Sequence, residues 1–500
     1  MSLPRAFLSK SRLTSFEQCP RRLWLEVNRR DLLSTGLGRG ALLQVGHQVG
    51  EIARHLTPGG VLIGHDDRLG EAVIETRERI AGGARDPLFE ATFVHEDVLV
   101  RVDLLLPEGD DGWRICEVKS TASVKPYHLR DLASQVWVAL GTGLSVSGAD
   151  LAHIDTTFTY TRPGNYGGLL RTVDVTERVV PLVNSRHLVV TEARQCLAGS
   201  EPDIATGAHC GTPFPCPFLD HCRAGEPPGA EFPPELLPGA AGKAVATALR
   251  EAGIVDLQDT PLDLALPPDL ERIVTTTRTG VAFHDPEGFR AAVADWPAPL
   301  RFLDFETVGF AVPLWLGTRP FEAVPFQFSC HLAAPDGTYP QTVFLDLKGE
   351  NPSRACAEAL LGCLGDSGAI VAWHASVERG CIRRLARLFP DLAPRLEAAA
   401  DRVVDLLPVA RNTYYHRDMH GSWSIKDVLR CRLPELTYDN LQGVQDGLAA
   451  QGAYREAIQP DTDPARREAI RTQLLDYCHR DTWAMVALYL SLSGSEVPHG

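Results

Sequence analysis

The chain has 500 residues, 44% of them hydrophobic, and 64 acidic against 49 basic side chains give it a formal net charge of -15. One core seldom organises so long a chain, so two domains are expected, and the acidity excludes a surface that grips nucleic acid everywhere, because phosphate must be met by local cations. With no apolar export leader and no uncharged apolar run of about 18 residues, the 12 cysteines point to a cytoplasmic globular protein in which some thiols ligate a metal or cluster, rather than to a disulfide framework or a membrane span.

Residues 11–30 show helical spacing that Pro20 should break, within an opening stretch rich in Lys and Arg, and a second helical pattern covers about 41–56. "FVHEDVLVRVDLLLPEGDDGWRICEVKST" (93–121) then reads as two strands around a Pro-Gly-Asp turn, followed by helical spacing over 127–141. Asp103 lies on the first strand and Glu117 on the second, so pairing brings their carboxylates together. Glu117 and Lys119 share a face at period two. Hard divalent cations such as Mg²⁺ or Mn²⁺ take carboxylate oxygens, and a neighbouring lysine can orient water or neutralise developing negative charge. Alone, an acid-x-lysine pair also fits a charged strand edge.

With Gln135 on the following helix, the set Asp103, Glu117, Lys119 and Gln135 resembles the RecB-type nucleases of the PD-(D/E)XK superfamily, and the resemblance implies a catalytic role for all four. Two positions depart from that pattern. Ala139 stands where a tyrosine is common, with Trp137 the nearest aromatic. "GHQVGE" offers Glu51 where related enzymes have a metal-binding histidine motif, with His47 out of register.

"HCGTPFPCPFLDHC" (209–222) spaces Cys210, Cys216 and Cys222 evenly in a Pro-rich loop with little core to bury them. A thiolate site there needs a fourth ligand, and Zn²⁺ is the expectation if His209 or His221 supplies it. The resemblance extends to iron–sulfur members of the RecB-like group, which take one cysteine from ahead of the nuclease core. "SFEQCPRRLW" places Cys19 there, which implies a [4Fe–4S] cluster on Cys19, Cys210, Cys216 and Cys222, with zinc as the alternative.

The Pro- and Gly-rich stretch 207–240 marks a domain boundary, and short helical patterns follow to about 290. In "PLRFLDFETVGF" (299–310), Asp304 and Glu306 fall on one strand face, where two carboxylates repel strongly unless a cation lies between them. "VAWHASVERGCIRRL" (371–385) supplies His374 and Glu378, and "LLDYCHRDTWAM" (474–485) puts Tyr477 and Asp481 at i, i+4 on one helix face. In that order these motifs resemble DnaQ-like exonucleases of the DEDD type, tyrosine subclass. The resemblance implies that Asp304, Glu306, Glu378 and Asp481 hold two divalent metals while Tyr477 orients the hydrolytic water, with Asp405 an outer group. Arg379, Arg383, Arg384 and Arg387 form either a backbone-binding face or an exposed basic one, and Cys363, Cys381 and Cys478 read as core thiols.

The expected architecture is α/β: a restriction-endonuclease-like domain over 1–225 with its cluster, a connector over 226–298, and an RNase H-like, DnaQ-type domain over 299–495. Together they imply a metal-dependent nuclease with a RecB-like nuclease module and a 3′–5′ exonuclease module, acting on nucleic acid, DNA with single-stranded character foremost, without a membrane. The resembled families imply repair of DNA or defence against foreign DNA, beside a helicase or another such partner. An alternative leaves one working exonuclease, with the first domain a cluster-stabilised module that binds strands without cutting; a third reading is an inactive scaffold.

Overall fold

The computed structural model describes residues 8–34, 39–65, 68–261 and 263–498. The chain divides into two compact units, Met1–Pro227 with Phe310–Glu322, and Pro228–Gly309 with Ala323–Gly500. The stretch expected as a connector therefore belongs to the second unit, where it folds into helices Gly239–Glu251, Pro268–Thr279 and Pro286–Val293. Residues 310–322, expected within the second domain, group with the first.

In the first unit, α1 (Lys10–Gln18) and α2 (Pro20–Asn28) part at Cys19, whose backbone is extended. Pro20 opens α2 in its first turn, where a missing N–H removes no helical bond. A seven-stranded sheet comprises β1 (Leu8–Ser9), β2 (Val61–Leu62), β3 (Leu88–His95), β4 (Val98–Glu108), β5 (Gly112–Lys119), β6 (Val146–Ile154) and β7 (Leu170–Asp174). Its order is β2-β3-β4-β5-β6-β7, with β1 parallel beside β4. The apolar run expected as one strand is a hairpin, because Glu96 and Asp97 take positive φ (44° and 53°) and turn β3 back into β4. Non-glycine residues reach this left-handed region uncommonly, and two in succession reverse the chain here. Leu104 pairs with Cys116 across β4 and β5, so Asp103 comes opposite Glu117 one step further on. Val98, Val100 and Val102 pack with Leu132, Val136 and Ala139 of α3 (Pro126–Gly141), while Leu104 and Cys116 join a second cluster with Phe89, Ala53 and Ala152. Ala139 is completely buried there, so a tyrosine has no room at that position. Trp137 stacks edge-on against His95.

The second unit carries α4 (Pro268–Thr279) and a five-stranded sheet of β8 (Arg301–Val308), β9 (Val324–Leu332), β10 (Gln341–Leu345), β11 (Ile370–Ala372) and β12 (Val403–Asp405). Its order is β10-β9-β8-β11-β12. The first three strands form an antiparallel meander, and β11 and β12 run parallel to β8. Four more helices frame the site: α5 (Ser376–Leu388), α6 (Leu406–Thr413), α7 (Ile425–Arg432) and α8 (Pro464–Ser493). Leu303 and Phe305 point from β8 into an apolar core with Phe328, Ile382 and Leu385. The alternate residues Phe302, Asp304 and Glu306 face the other way, toward α8, and Phe302 meets Tyr489 at 5.6 Å. Their partners on β9 fix the helix over that face: Gln327 Nε2 donates to the Leu474 carbonyl at 2.8 Å, and Ser329 Oγ and His331 Nδ1 bond Thr482 Oγ1 at 2.7 and 2.9 Å. Among the described residues, no helix is long and apolar enough to cross a membrane.

Candidate active sites

Asp304 and Glu306 from β8 and Asp481 from α8 converge so that one carboxylate oxygen of each lies within 4.8 Å of the others. They line a cavity of ≈ 330 Å³ with Trp373, Lys426 and Tyr477. Burial pushes Asp304 well above the usual carboxylate range, and Asp481, Glu306 and Glu378 push it further. Burial and Asp481 raise Glu306 to about 8 against the opposing charge of Lys426. Asp481 rises only to about 6, because hydrogen bonds from Tyr438 and Tyr477 and the charge of Lys426 offset its burial. These are acids short of positive charge, which bind a proton more readily than usual in the absence of another cation.

Glu378 on α5 is buried and raised to about 8 by burial, with Asp405 adding to the shift. It stands outside the three-residue set, and its Oε2 has no hydrogen-bond partner among the described residues. Asp405 accepts the backbone N–H groups of His374, Ala375 and Leu407, all at 3.1 Å. It thereby fixes the turn, with His374 at φ 73°, that launches the helix carrying Glu378. His374 itself is exposed. The expected basic face of α5 is half tied inward: Arg379 donates to the Val403 carbonyl and Arg384 to that of Ala323, while Arg383, paired with Asp401, and Arg387 are exposed. Cys381 and Cys478 are buried and Cys363 is half-buried.

Two residues of this site escaped the sequence reading. Tyr438 donates its phenol proton to Asp481 Oδ1 at 2.6 Å. Lys426 Nζ sits 4.8 Å from the Tyr438 ring and 5.4 Å from that of Tyr477, and donates to the Gln445 carbonyl. Neither shares a readable spacing with the acids.

In the first unit, Glu117 is buried and accepts three donors: Lys10 Nζ and Lys119 Nζ on Oε1 and Gln135 Nε2 on Oε2, each at 2.7 Å. Lys119 also reaches Asp131 Oδ2 at 2.6 Å. Burial would raise Glu117, but Lys10 and Lys119 outweigh it and hold the acid well below its usual range. Asp103 is raised to about 7 by burial and by Glu117, against the two lysines, and accepts the Val118 N–H at 2.7 Å. The four expected residues are thus joined by two unexpected ones, Lys10 and Asp131. Asp131 lies four residues before Gln135 on α3, a spacing that puts both on one helix face and was readable. Glu51 is exposed and lines a different cavity with Arg54 and Phe89.

Cys19, Cys210, Cys216 and Cys222 line one cavity with Arg21 and Arg22. Burial raises the Cys222 thiol against the charge of Arg21, and Cys216, Cys19 and Cys210 add to the rise, as neighbouring thiols do. Gln18 holds the loop by donating to the carbonyls of His209 and Phe214, both at 2.7 Å. His209 Nε2 lies 3.6 Å from the Cys210 sulfur, and His221 Nε2 lies 3.6 Å from Glu201. Zinc at about 2.3 Å from each sulfur would hold neighbouring sulfurs roughly 3.8 Å apart. Among the described residues, no three of these sulfurs gather within 4.8 Å of one another.

Residues 301–424 match the model of a domain of unknown function, DUF2779. That segment contains Asp304, Glu306 and Glu378 and ends before Tyr477 and Asp481. No curated protein matches the chain. A solved structure described as "Crystal structure of SSO0001" aligns with 45% of this chain and 90% of its own, at 15% identity and a TM-score of 0.22.

Proposed function

We propose that the chain is a metal-dependent nuclease hydrolysing phosphodiester bonds of nucleic acid, DNA foremost, with its principal active site in the second unit. The convergence of Asp304, Glu306 and Asp481 within 4.8 Å carries this reading. Asp304 and Glu306 on one strand and Tyr477 one turn before Asp481 on α8 support the DnaQ-type assignment. The donor set fits hard divalent cations: carboxylates raised by burial and by mutual repulsion, and a Glu378 oxygen without a partner among the described residues. When bound, such ions neutralise charge on the phosphate and lower the pKa of water. The chain's own part is positional. Tyr477 presents its phenol beside Asp481 to orient water, Tyr438 fixes the other side of that carboxylate, and Lys426 tempers the negative charge. The thiols of the first unit fit a cytoplasmic protein, where thiolate ligands stay reduced.

For the first unit we propose a [4Fe–4S] cluster, with zinc as the alternative, because cysteines from two distant stretches of chain line one cavity. One observation favours strand binding over cutting there: Lys10 and Lys119 already neutralise Glu117, the acid a metal would need. The test is digestion of 5′- and 3′-labelled DNA and RNA with Mg²⁺ or Mn²⁺ by the parent chain, Asp304→Asn and Lys119→Ala. Loss of all cleavage in Asp304→Asn supports a single working site. Residual cleavage that Lys119→Ala removes establishes a second. Absence of metal-dependent hydrolysis in the parent sinks the nuclease reading.

A further inference from the structure

A second cavity of the same unit, ≈ 280 Å³ in volume, is lined by Asp269 and Arg272 of α4, Arg411 and Asn412 of α6, and Trp423. Arg272 Nη1 donates to the Arg411 carbonyl at 2.6 Å, and its guanidinium lies 4.4 Å from the Phe283 ring. The Arg411 guanidinium lies 5.0 Å from the Trp423 ring. Neither guanidinium is ion-paired with a carboxylate among the described residues, whereas Arg354, Arg383 and Arg466 are each closed by one. The charges of Asp269 and Asp285 act on Arg272, but neither closes an ion pair with it among the described residues. A purely architectural role accounts for the Arg272 hydrogen bond, which ties α4 to α6. It does not account for Arg411, which is exposed and holds its cation over an indole face.

One hydrogen bond links the linings of the two cavities: Trp373, which lines the acidic one, donates its indole N–H to the backbone carbonyl of Trp423 at 3.2 Å. Paired guanidiniums beside an aromatic face suit a nucleotide: phosphate meets the cations, and the base stacks on the indole or on the guanidinium plane. We infer that this cavity binds a nucleotide of single-stranded nucleic acid, flanking the one held at Asp304, Glu306 and Asp481. The inference rests on the nuclease reading for its substrate, and its own observable is strand affinity rather than cleavage.

The experiment uses the full chain carrying Asp304→Asn, in chelator so that nothing is cut, and compares fluorescence anisotropy of a labelled dinucleotide and a longer single-stranded oligonucleotide. The longer strand is expected to bind more tightly. Arg411→Gln, and more strongly the charge reversal Arg411→Glu, weaken the longer strand by about tenfold and make its binding less salt-dependent. Because Arg411 is exposed, circular dichroism should stay at that of the parent. Unchanged strand affinity in both variants overturns the inference. So does a free nucleoside monophosphate that competes as strongly as the strand, which would make the cavity a mononucleotide site. A parent chain that cuts nothing but shows Arg411-dependent strand binding refutes the proposed function and leaves this inference standing.

Discussion

Glu117 shows how much one carboxylate decides in the first unit. It is 2% exposed and carries two ammonium groups on one oxygen and an amide on the other, so its charge is held by hydrogen bonds rather than by water. Replacing Lys10 by Met removes one of those ammoniums while Lys119 remains. The variant should lose about 2 kcal/mol of stability, the scale of a charge-assisted hydrogen bond, in chemical denaturation. It should also bind Mn²⁺ more readily at Asp103 and Glu117, because a cation that competed there is gone; calorimetry showing no gain would mean that the two lysines do not set the metal affinity of this site. Lys10 was out of reach of sequence reasoning, since it arrives from the start of α1, 107 residues from its partner, with no spacing to betray it. Asp103, Glu117 and Lys119 were legible for the opposite reason. Alternation and a turn signal fix which strand neighbours meet, and the local register does the rest.

At the scale of elements, the acidic site depends on how α8 lies on β8 and β9. Residues opposite Phe302, Asp304 and Glu306 on β9 are His331, Ser329 and Gln327, and all three bond α8. The helix is therefore registered by polar contacts on the same face that presents the acids. His331 makes this register sensitive to acid. Burial, with a smaller contribution from His479, lowers its pKa from 6.5 to about 4. The folded chain thus binds fewer protons than the unfolded one between those values. The contribution to stability is fully present above pH 6.5 and disappears as pH falls toward 4. A shift of this size is worth roughly 3 kcal/mol at most. His331→Gln should flatten the acid limb of the stability curve, and a variant as acid-labile as the parent would show that other groups control it. The i, i+4 pair Tyr477 and Asp481 made the helix face readable in advance, because that geometry is internal to one element. Tyr438 and Lys426 come from separate segments, and only the folded chain brings them to Asp481.

For the whole molecule, the cysteine site has the longest reach. Cys19 lies where α1 gives way to α2, and Cys210, Cys216 and Cys222 lie in a Pro-rich loop near residue 227, where the first stretch of the first unit ends. Few apolar side chains stabilise that loop: Phe218 and Cys222 pack with Leu25, and little else of it is deeply buried. A ligand shared by the four sulfurs would close a loop of nearly 200 residues, and loop closure constrains the unfolded chain increasingly with length. With the proposed cluster as that ligand, Cys216→Ser should lose iron and visible absorbance, and limited proteolysis should open new cuts between residues 204 and 225. Cys381→Ser, in the apolar core of the second unit, should keep the iron and resist the same cuts even if its thermal stability falls. Metal-dependent cleavage by the Cys216→Ser protein should persist if the proposed catalytic acids of the second unit suffice, since Asp304, Glu306, Glu378 and Asp481 all belong to that unit. A parent protein that purifies colourless with one zinc would instead require the sulfurs to close to the tighter spacing of a zinc tetrahedron, and would sink the cluster assignment while leaving the loop-closure argument in place.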